Sequence, residues 1–119
     1  MKTALVALAL AAVPAAAFAT PQMEAVFGNT IVSTYPDGRT AYLWLKADGT
    51  YTLLNRKRDT SSGAWVIKGE QVCLHQNKPV PMPITYCTPA PEGDGAAPWP
   101  AKALTGEKVF LRVVKGIVR

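Results

Sequence analysis

Residues 63–75 constrain the fold more than any other stretch of this sequence. Large apolar residues occupy every second position on each side of Gly69, at Trp65, Ile67, Val72 and Leu74. A period of two over runs this short predicts half-buried strands rather than a helix. Gly69 tolerates the positive φ of a two-residue turn, so the stretch is predicted to form a β-hairpin. Trp65 and Leu74 are its expected core anchors.

Similar strand patterns, separated by turn residues, run along the rest of the chain. They fall at 30–34, 40–46, 50–55, 101–104 and 109–114. Asp37-Gly38 and Asp48-Gly49 stand between β-branched and aromatic runs, as in hairpins, and 56–62 is predicted to be a polar connection. The sequence therefore predicts an all-β fold, a small antiparallel β-barrel or sandwich of about seven or eight short strands.

Proline sets the expectations for residues 78–100. Pro79, Pro81 and Pro83 cannot lie within the middle of a sheet, because each lacks an N–H donor. We expect a loop that runs into a one-sided edge strand over 85–87. Residues 88–100 are rich in proline, glycine and alanine, and are predicted to form a loop.

The first residues have the pattern of a secretory signal peptide. Lys2 precedes an apolar run, and Ala17-Phe18-Ala19 has the small-x-small form of a cleavage site. We expect cleavage near Ala19, with Ala17 as a second site, and export to the periplasm or the medium. Residues 1–19 would be removed, leaving 20–119 as a single barrel-like domain without a membrane span.

A short helical turn is expected where that domain begins. Thr20 suits the cap, Pro21 the first helical position and Gly28 the end. Val26 and Phe27 would then close one end of the barrel.

The chain has two cysteines, Cys73 and Cys87. In an exported protein such a pair predicts a disulfide, which would stabilise the fold by about 3 kcal/mol. Two free buried thiols are the alternative.

Catalytic and metal-binding patterns are missing from the sequence. His75 lies two residues from Cys73 and shares its strand face, but an oxidised cysteine is no nucleophile and no third orienting group is evident. One histidine and scattered carboxylates do not form a metal ligand set. A net charge of +5, or +4 without Lys2, is too low to indicate nucleic-acid binding. We expect no enzyme activity, no cofactor and a monomer.

Two features can carry binding to a partner. Arg56, Lys57 and Arg58 form the one basic cluster, which either docks to an anionic glycan, a lipopolysaccharide or an acidic envelope protein, or is a solvated loop. Trp99, between two prolines, either packs over the barrel mouth or serves as an exposed anchor.

Five short motifs in order suggest a family: Gly28-Asn29-Thr30-Ile31, Asp48-Gly49-Thr50, Gly63-Ala64-Trp65, Val72-Cys73-Leu74 and Cys87. The chain resembles the small secreted β-rich domains of alphaproteobacteria, a family of unknown function. The resemblance covers residues 26–87 and implies a periplasmic small β-barrel with a disulfide and no catalytic residues. The Gly-x-Trp hairpin is also similar, at the level of fold, to periplasmic barrels that inhibit lysozyme or metalloproteases.

These observations favour a non-enzymatic periplasmic binding or interaction domain. One alternative is an inhibitor of an envelope or host hydrolase that presents 56–62 or 88–99 to its target. Another is a carrier of a small apolar ligand, although side chains are expected to fill the interior of so small a barrel.

Overall fold

The computed structural model describes residues 21–119 and is built almost entirely from strands. Its elements are α1 (Pro21–Glu24), β1 (Thr30–Thr34), β2 (Thr40–Leu45), β3 (Thr50–Leu54), β4 (Thr60–Lys68), β5 (Gln71–Lys78), β6 (Tyr86–Pro89), β7 (Trp99–Lys102) and β8 (Lys108–Val114). The predicted all-β class is confirmed.

The eight strands form one antiparallel sheet in the order β6-β5-β4-β3-β2-β1-β8-β7. Pairing of β1 with β8 curls the sheet into a nearly closed barrel. Between β6 and β7, side chains bridge the remaining gap. The Tyr86 hydroxyl donates to the Lys102 carbonyl oxygen over 2.5 Å, and the Trp99 indole Nε1 donates to the Pro89 carbonyl oxygen over 3.2 Å.

The predicted central hairpin is present as β4 and β5. Lys68 pairs with Gln71 across the turn, and Gly69 has a φ of 61°. Trp65 and Leu74 pair and are both buried, which confirms them as core residues. The register shifts next to Gly63, where a Cβ atom would overlap the carbonyl oxygen of His75, so this bulge requires glycine.

One end of the barrel, which we call the closed end, is covered by the N-terminal segment. Met23 and Val26 are fully buried, and the ring of Phe27 lies 5.9 Å from that of Trp65. The expectation that Val26 and Phe27 close the barrel is confirmed. The signal peptide predicted at 1–19 and the cap at Thr20 lie outside the described residues.

The connection between β6 and β7 also folds over the closed end. Gly95 has a φ of 72°, and its carbonyl oxygen accepts a hydrogen bond of 2.8 Å from the Val113 N–H. A Cβ atom at Gly95 would overlap Cγ2 of Val113. The predicted loop is therefore a packed cover.

Cys73 and Cys87 lie directly opposite each other on β5 and β6, with their sulfur atoms bonded at 2.11 Å. This confirms the predicted pair. Because Val72 and Leu74 line the interior, Cys73 lies on the outer face of the barrel.

Several predicted boundaries are wrong. Thr88 and Pro89 continue β6 because they pair with β5, and β7 runs from Trp99 to Lys102 rather than over 101–104. Prolines fit both strands because each strand lies at an edge of the sheet. Similarly, β4 begins at Thr60, within the predicted polar connection, because Thr60 pairs with Leu54.

Candidate functional site

The end of the barrel opposite the closed end, which we call the open end, leads into a cavity of about 530 Å³. Strand residues that point inward form its walls, among them Ile31, Leu43, Tyr51, Leu74 and Leu111. Cavities of a few hundred Å³ with apolar walls are typical of sites for small molecules. The cavity is therefore the candidate functional site.

Small inward-facing residues create this space. Ser33 and Ala41 lie opposite each other on β1 and β2, and Ser61 and Ala103 line the same cavity. At the closed end the interior is instead filled by large residues such as Met23 and Trp65. The expectation that side chains fill the barrel is thus wrong for the open half, because small residues occupy several of its inward positions.

The charged residues that line the cavity, Arg56, Lys57 and Asp59, all lie on the β3–β4 turn at its mouth, and the walls formed by the strands carry no charged side chain. Burial raises the pKa of the Tyr51 hydroxyl. Burial also raises the pKa of Tyr86, an effect that the neighbouring Thr88 hydroxyl partly offsets. Thr88 Oγ1 is the one buried side-chain polar atom without a hydrogen-bond partner of standard geometry within residues 21–119. The lining suits an apolar ligand better than a charged one.

Arg56 joins three turns at the open end. Its guanidinium donates to both carboxylate oxygens of Glu107, over 2.8 and 3.0 Å, and contacts Asp37 at 3.3 Å. It also lies 4.1 Å from the ring centroid of Tyr35. We call these four residues the Arg56 clamp. They link the β1–β2, β3–β4 and β7–β8 turns into one side of the mouth.

Two carboxylates of the clamp have lowered pKa values. For Glu107 the main cause is the hydrogen bond from the Thr105 hydroxyl, followed by that from Arg56. For Asp37 it is the hydrogen bond from the backbone N–H of Arg39, with Arg56 contributing less. Both carboxylates therefore remain ionised at pH values below those at which carboxylates usually become protonated.

The mouth also carries exposed apolar side chains, on the 79–85 loop and on the β7–β8 turn. Val80, Ile84 and Leu104 are 58%, 50% and 59% exposed, and the half-buried Met82 lies between the first two in sequence. We call these four residues the apolar lip. Met82, Ile84 and Leu104 line the cavity, so the lip continues into its walls. The 79–85 loop is held by hydrogen bonds from the Met82 N–H to the Gln76 carbonyl oxygen and from the Gln76 side chain to the Val80 carbonyl oxygen.

Charge is distributed unequally between the two ends of the barrel. The basic residues at the open end are Arg39, Arg56, Lys57, Arg58, Lys78, Lys102 and Lys108, and the acidic ones are Asp37, Asp59 and Glu107. The basic residues at the closed end are Lys46, Lys68, Lys115 and Arg119, and the acidic ones are Glu24, Asp48, Glu70, Glu92 and Asp94. Within residues 21–119, the open end thus carries a net charge of +4 and the closed end −1.

The basic cluster predicted from the sequence lies at the open end, but its members have different surroundings. Arg56 is held in the clamp, Lys57 is exposed at the cavity mouth, and the guanidinium of Arg58 lies 5.7 Å from the ring centroid of Tyr42. The cluster therefore does not form one patch. Lys57 alone is exposed and has neither an ion pair nor a cation–π contact among those found in the described chain.

Trp99 forms part of the cavity wall. It begins β7 opposite Leu111, lines the cavity and donates to the carbonyl oxygen of Pro89. Its half-buried ring thus lies beside the gap between β6 and β7, where it helps to close the barrel.

His75 is exposed on the outer face, on the same side of β5 as the disulfide-bonded Cys73. Within residues 21–119, no group of three or more His, Cys, Asp or Glu side chains is arranged to hold a metal ion. None of the helices described there is long and apolar enough to cross a membrane.

Sequence reasoning did not find the cavity or the apolar lip. The available signal was the size of alternate residues: Ser33, Ala41 and Ser61 interrupt otherwise large apolar inward faces. The apolar lip was harder to recognise in the sequence, because Val80, Met82 and Ile84 alternate with prolines as they would in an edge strand.

No protein-family model, curated protein or solved structure matches this chain. The resemblance to small secreted β-rich domains therefore stays a prediction, and the function is argued from the geometry of the cavity.

Proposed function

We propose that this chain is a non-enzymatic binding protein, exported to the periplasm or the medium, that holds a small apolar molecule in its barrel. The observation that carries the proposal is the cavity of about 530 Å³ at the open end. Its volume lies in the range of about 300–1,000 Å³ that is usual for small-molecule sites. The disulfide is consistent with an oxidising compartment.

The cavity is more than a packing defect. Protein interiors normally pack to the density of organic crystals, and empty space lowers stability. Here the space opens to solvent through a mouth whose one side is fixed by the Arg56 clamp. Since the walls are mainly aliphatic and aromatic, burial of apolar ligand surface would supply most of the binding free energy.

Titration with the neutral fluorescent probe N-phenyl-1-naphthylamine tests this proposal. We expect saturable binding with enhanced emission, because the probe leaves water for an apolar cavity. The double variant Ser33→Leu with Ala41→Leu projects two large side chains from β1 and β2 into the cavity and should weaken binding by at least about tenfold.

Thr34→Leu is the matched control. Thr34 neighbours Ser33 but points to the outer face, so the substitution places a leucine outside the cavity and should leave probe binding unchanged. The proposal is overturned if the unmodified protein shows no saturable binding or if the filled variant binds as well as the control.

A further inference from the structure

Three of the six exposed large apolar side chains of the described chain lie at the mouth of the cavity. Single exposed apolar residues are common on soluble proteins, but clusters mark interaction sites. Val80, Ile84 and Leu104 lie on two segments that extend beyond the ends of the strands. The hydrogen bond from Tyr86 to the Lys102 carbonyl oxygen holds these segments next to each other.

Lysines flank the lip in sequence and in the fold. Lys78 directly precedes the 79–85 loop, Lys102 comes two residues before Leu104, and Lys57 lies at the cavity mouth. All three are exposed. With a net charge of +4 at this end and −1 at the other, an anionic surface would attract the protein with its mouth foremost.

An anionic lipid bilayer is complementary to both the exposed lysines and the apolar lip. Its headgroups are complementary to the lysines, and the hydrocarbon just beneath can receive Val80, Ile84 and Leu104. A soluble glycan offers anionic groups but no hydrocarbon for the lip. An acidic protein would need an apolar patch of matching shape, whereas a fluid bilayer adapts to the lip.

We propose that the open end docks onto the surface of an anionic lipid bilayer and that the cavity takes up an acyl-chain amphiphile there. The nature of the ligand rests on the proposed function, while the docking rests on the lip and the lysines alone. The apolar chain would enter between the lip and the Arg56 clamp, and its polar head would remain at the mouth beside Lys57.

Co-sedimentation with lipid vesicles tests the docking. Vesicles of phosphatidylcholine with about 30 mol % phosphatidylglycerol should bind the protein, and pure phosphatidylcholine vesicles should bind it at least about tenfold more weakly. Binding should weaken as salt is raised, because the lysines act through a screened potential. Failure to bind the anionic vesicles overturns the docking.

Matched variants separate the lip from the charge. Ile84→Ser with Leu104→Ser leaves the charge unchanged and should reduce vesicle binding by at least about tenfold, because the lip loses most of its exposed apolar surface. Ile117→Ser is the control, since Ile117 is 59% exposed at the closed end, as Leu104 is at the open end. Lys78→Gln and Lys102→Gln should each weaken binding about fivefold, and Lys68→Gln at the closed end should not.

The same assays distinguish this inference from the proposed function. The filled variant, Ser33→Leu with Ala41→Leu, should dock to vesicles normally but fail to bind the naphthylamine probe or extract a spin-labelled fatty acid from them. If the lip variant binds vesicles as well as the Ile117→Ser control, the proposed insertion of the lip is wrong. If dextran sulfate inhibits vesicle binding by the lip variant as strongly as it inhibits binding by the unmodified protein, the surface is a site for anionic polymers. The bilayer proposal is then wrong.

Discussion

The two ends of this barrel are built from the same eight strands but differ in packing. At the closed end, Met23, Val26 and Trp65 leave almost no accessible surface. At the open end, the paired residues Ser33 and Ala41 lie side by side in the wall of a cavity of about 530 Å³. The comparison shows that one sheet can devote one end to stability and leave the other available for binding, through the sizes of its inward residues alone.

The ends also differ in how their turns are held. Two segments of the polypeptide, α1 and the 90–98 connection, pack across the strand ends and cover the closed end. The open end has no such cover among the described residues, and its turns are tied together by the polar contacts of Arg56. The ion pairs of the Arg56 clamp can thus fix the spacing of the turns at the mouth without filling the cavity.

The largest expected effect is the loss of Trp65. Trp65→Ala removes a buried indole and its hydrogen bond of 2.8 Å to the Lys46 carbonyl oxygen. We expect a loss of about 3–5 kcal/mol in the free energy of unfolding, measured by urea titration. The matched variant, Trp99→Ala, enlarges a cavity that already exists and should cost about 1–2 kcal/mol. Equal losses would mean that the two ends contribute alike to stability.

The disulfide should contribute almost as much, without belonging to either end. Replacing Cys73 and Cys87 together by serine releases a cross-link on the outer face between residues separated by 14 positions. By the chain-entropy account this lowers the free energy of unfolding by about 3 kcal/mol. Probe binding by the folded fraction should be preserved, because neither sulfur lines the cavity. An unchanged Tm would show that the bond is unimportant for stability.

Two buried threonines give a smaller and sharper comparison. Near the closed end, the Thr30 hydroxyl accepts from the Trp44 indole N–H and the Val118 N–H and donates to the Gly116 carbonyl oxygen. Thr30→Val should therefore cost about 1–3 kcal/mol in urea unfolding, because these partners would be left unsatisfied. Thr88→Val, at the cavity wall, should leave the free energy of unfolding unchanged or raise it slightly. A loss as large as that of Thr30→Val would mean that the Thr88 hydroxyl has a partner.

The closed end was easier to predict than the open end because its signals are local. Alternation around Gly69 located the central hairpin, and the residues from Pro21 to Gly28 carried helix-start and helix-stop chemistry. A cavity, in contrast, depends on which small residues face each other across strands. Ser33 and Ala41 pair only once the register is fixed. The partners of Arg56 lie 19 and 51 residues away, so the sequence indicated only a basic cluster that either docks to a partner or is solvated.

The smallest expected effect concerns Arg56 and depends on pH. Because the folded-state pKa values of Glu107 and Asp37 are lowered, the stability they contribute is present above the ordinary carboxylate range. It is lost as pH falls through the lowered values. Arg56→Gln should therefore lower Tm slightly at pH 7, and its difference from the unmodified protein should shrink toward zero as pH falls below the ordinary carboxylate range. Lys68→Gln removes a cation at the closed end that has no ion pair in the described chain, and it should show no such convergence. If the Arg56→Gln difference persisted in acid, the contact of Arg56 with the Tyr35 ring, rather than its ion pairs, would be what holds the open end together.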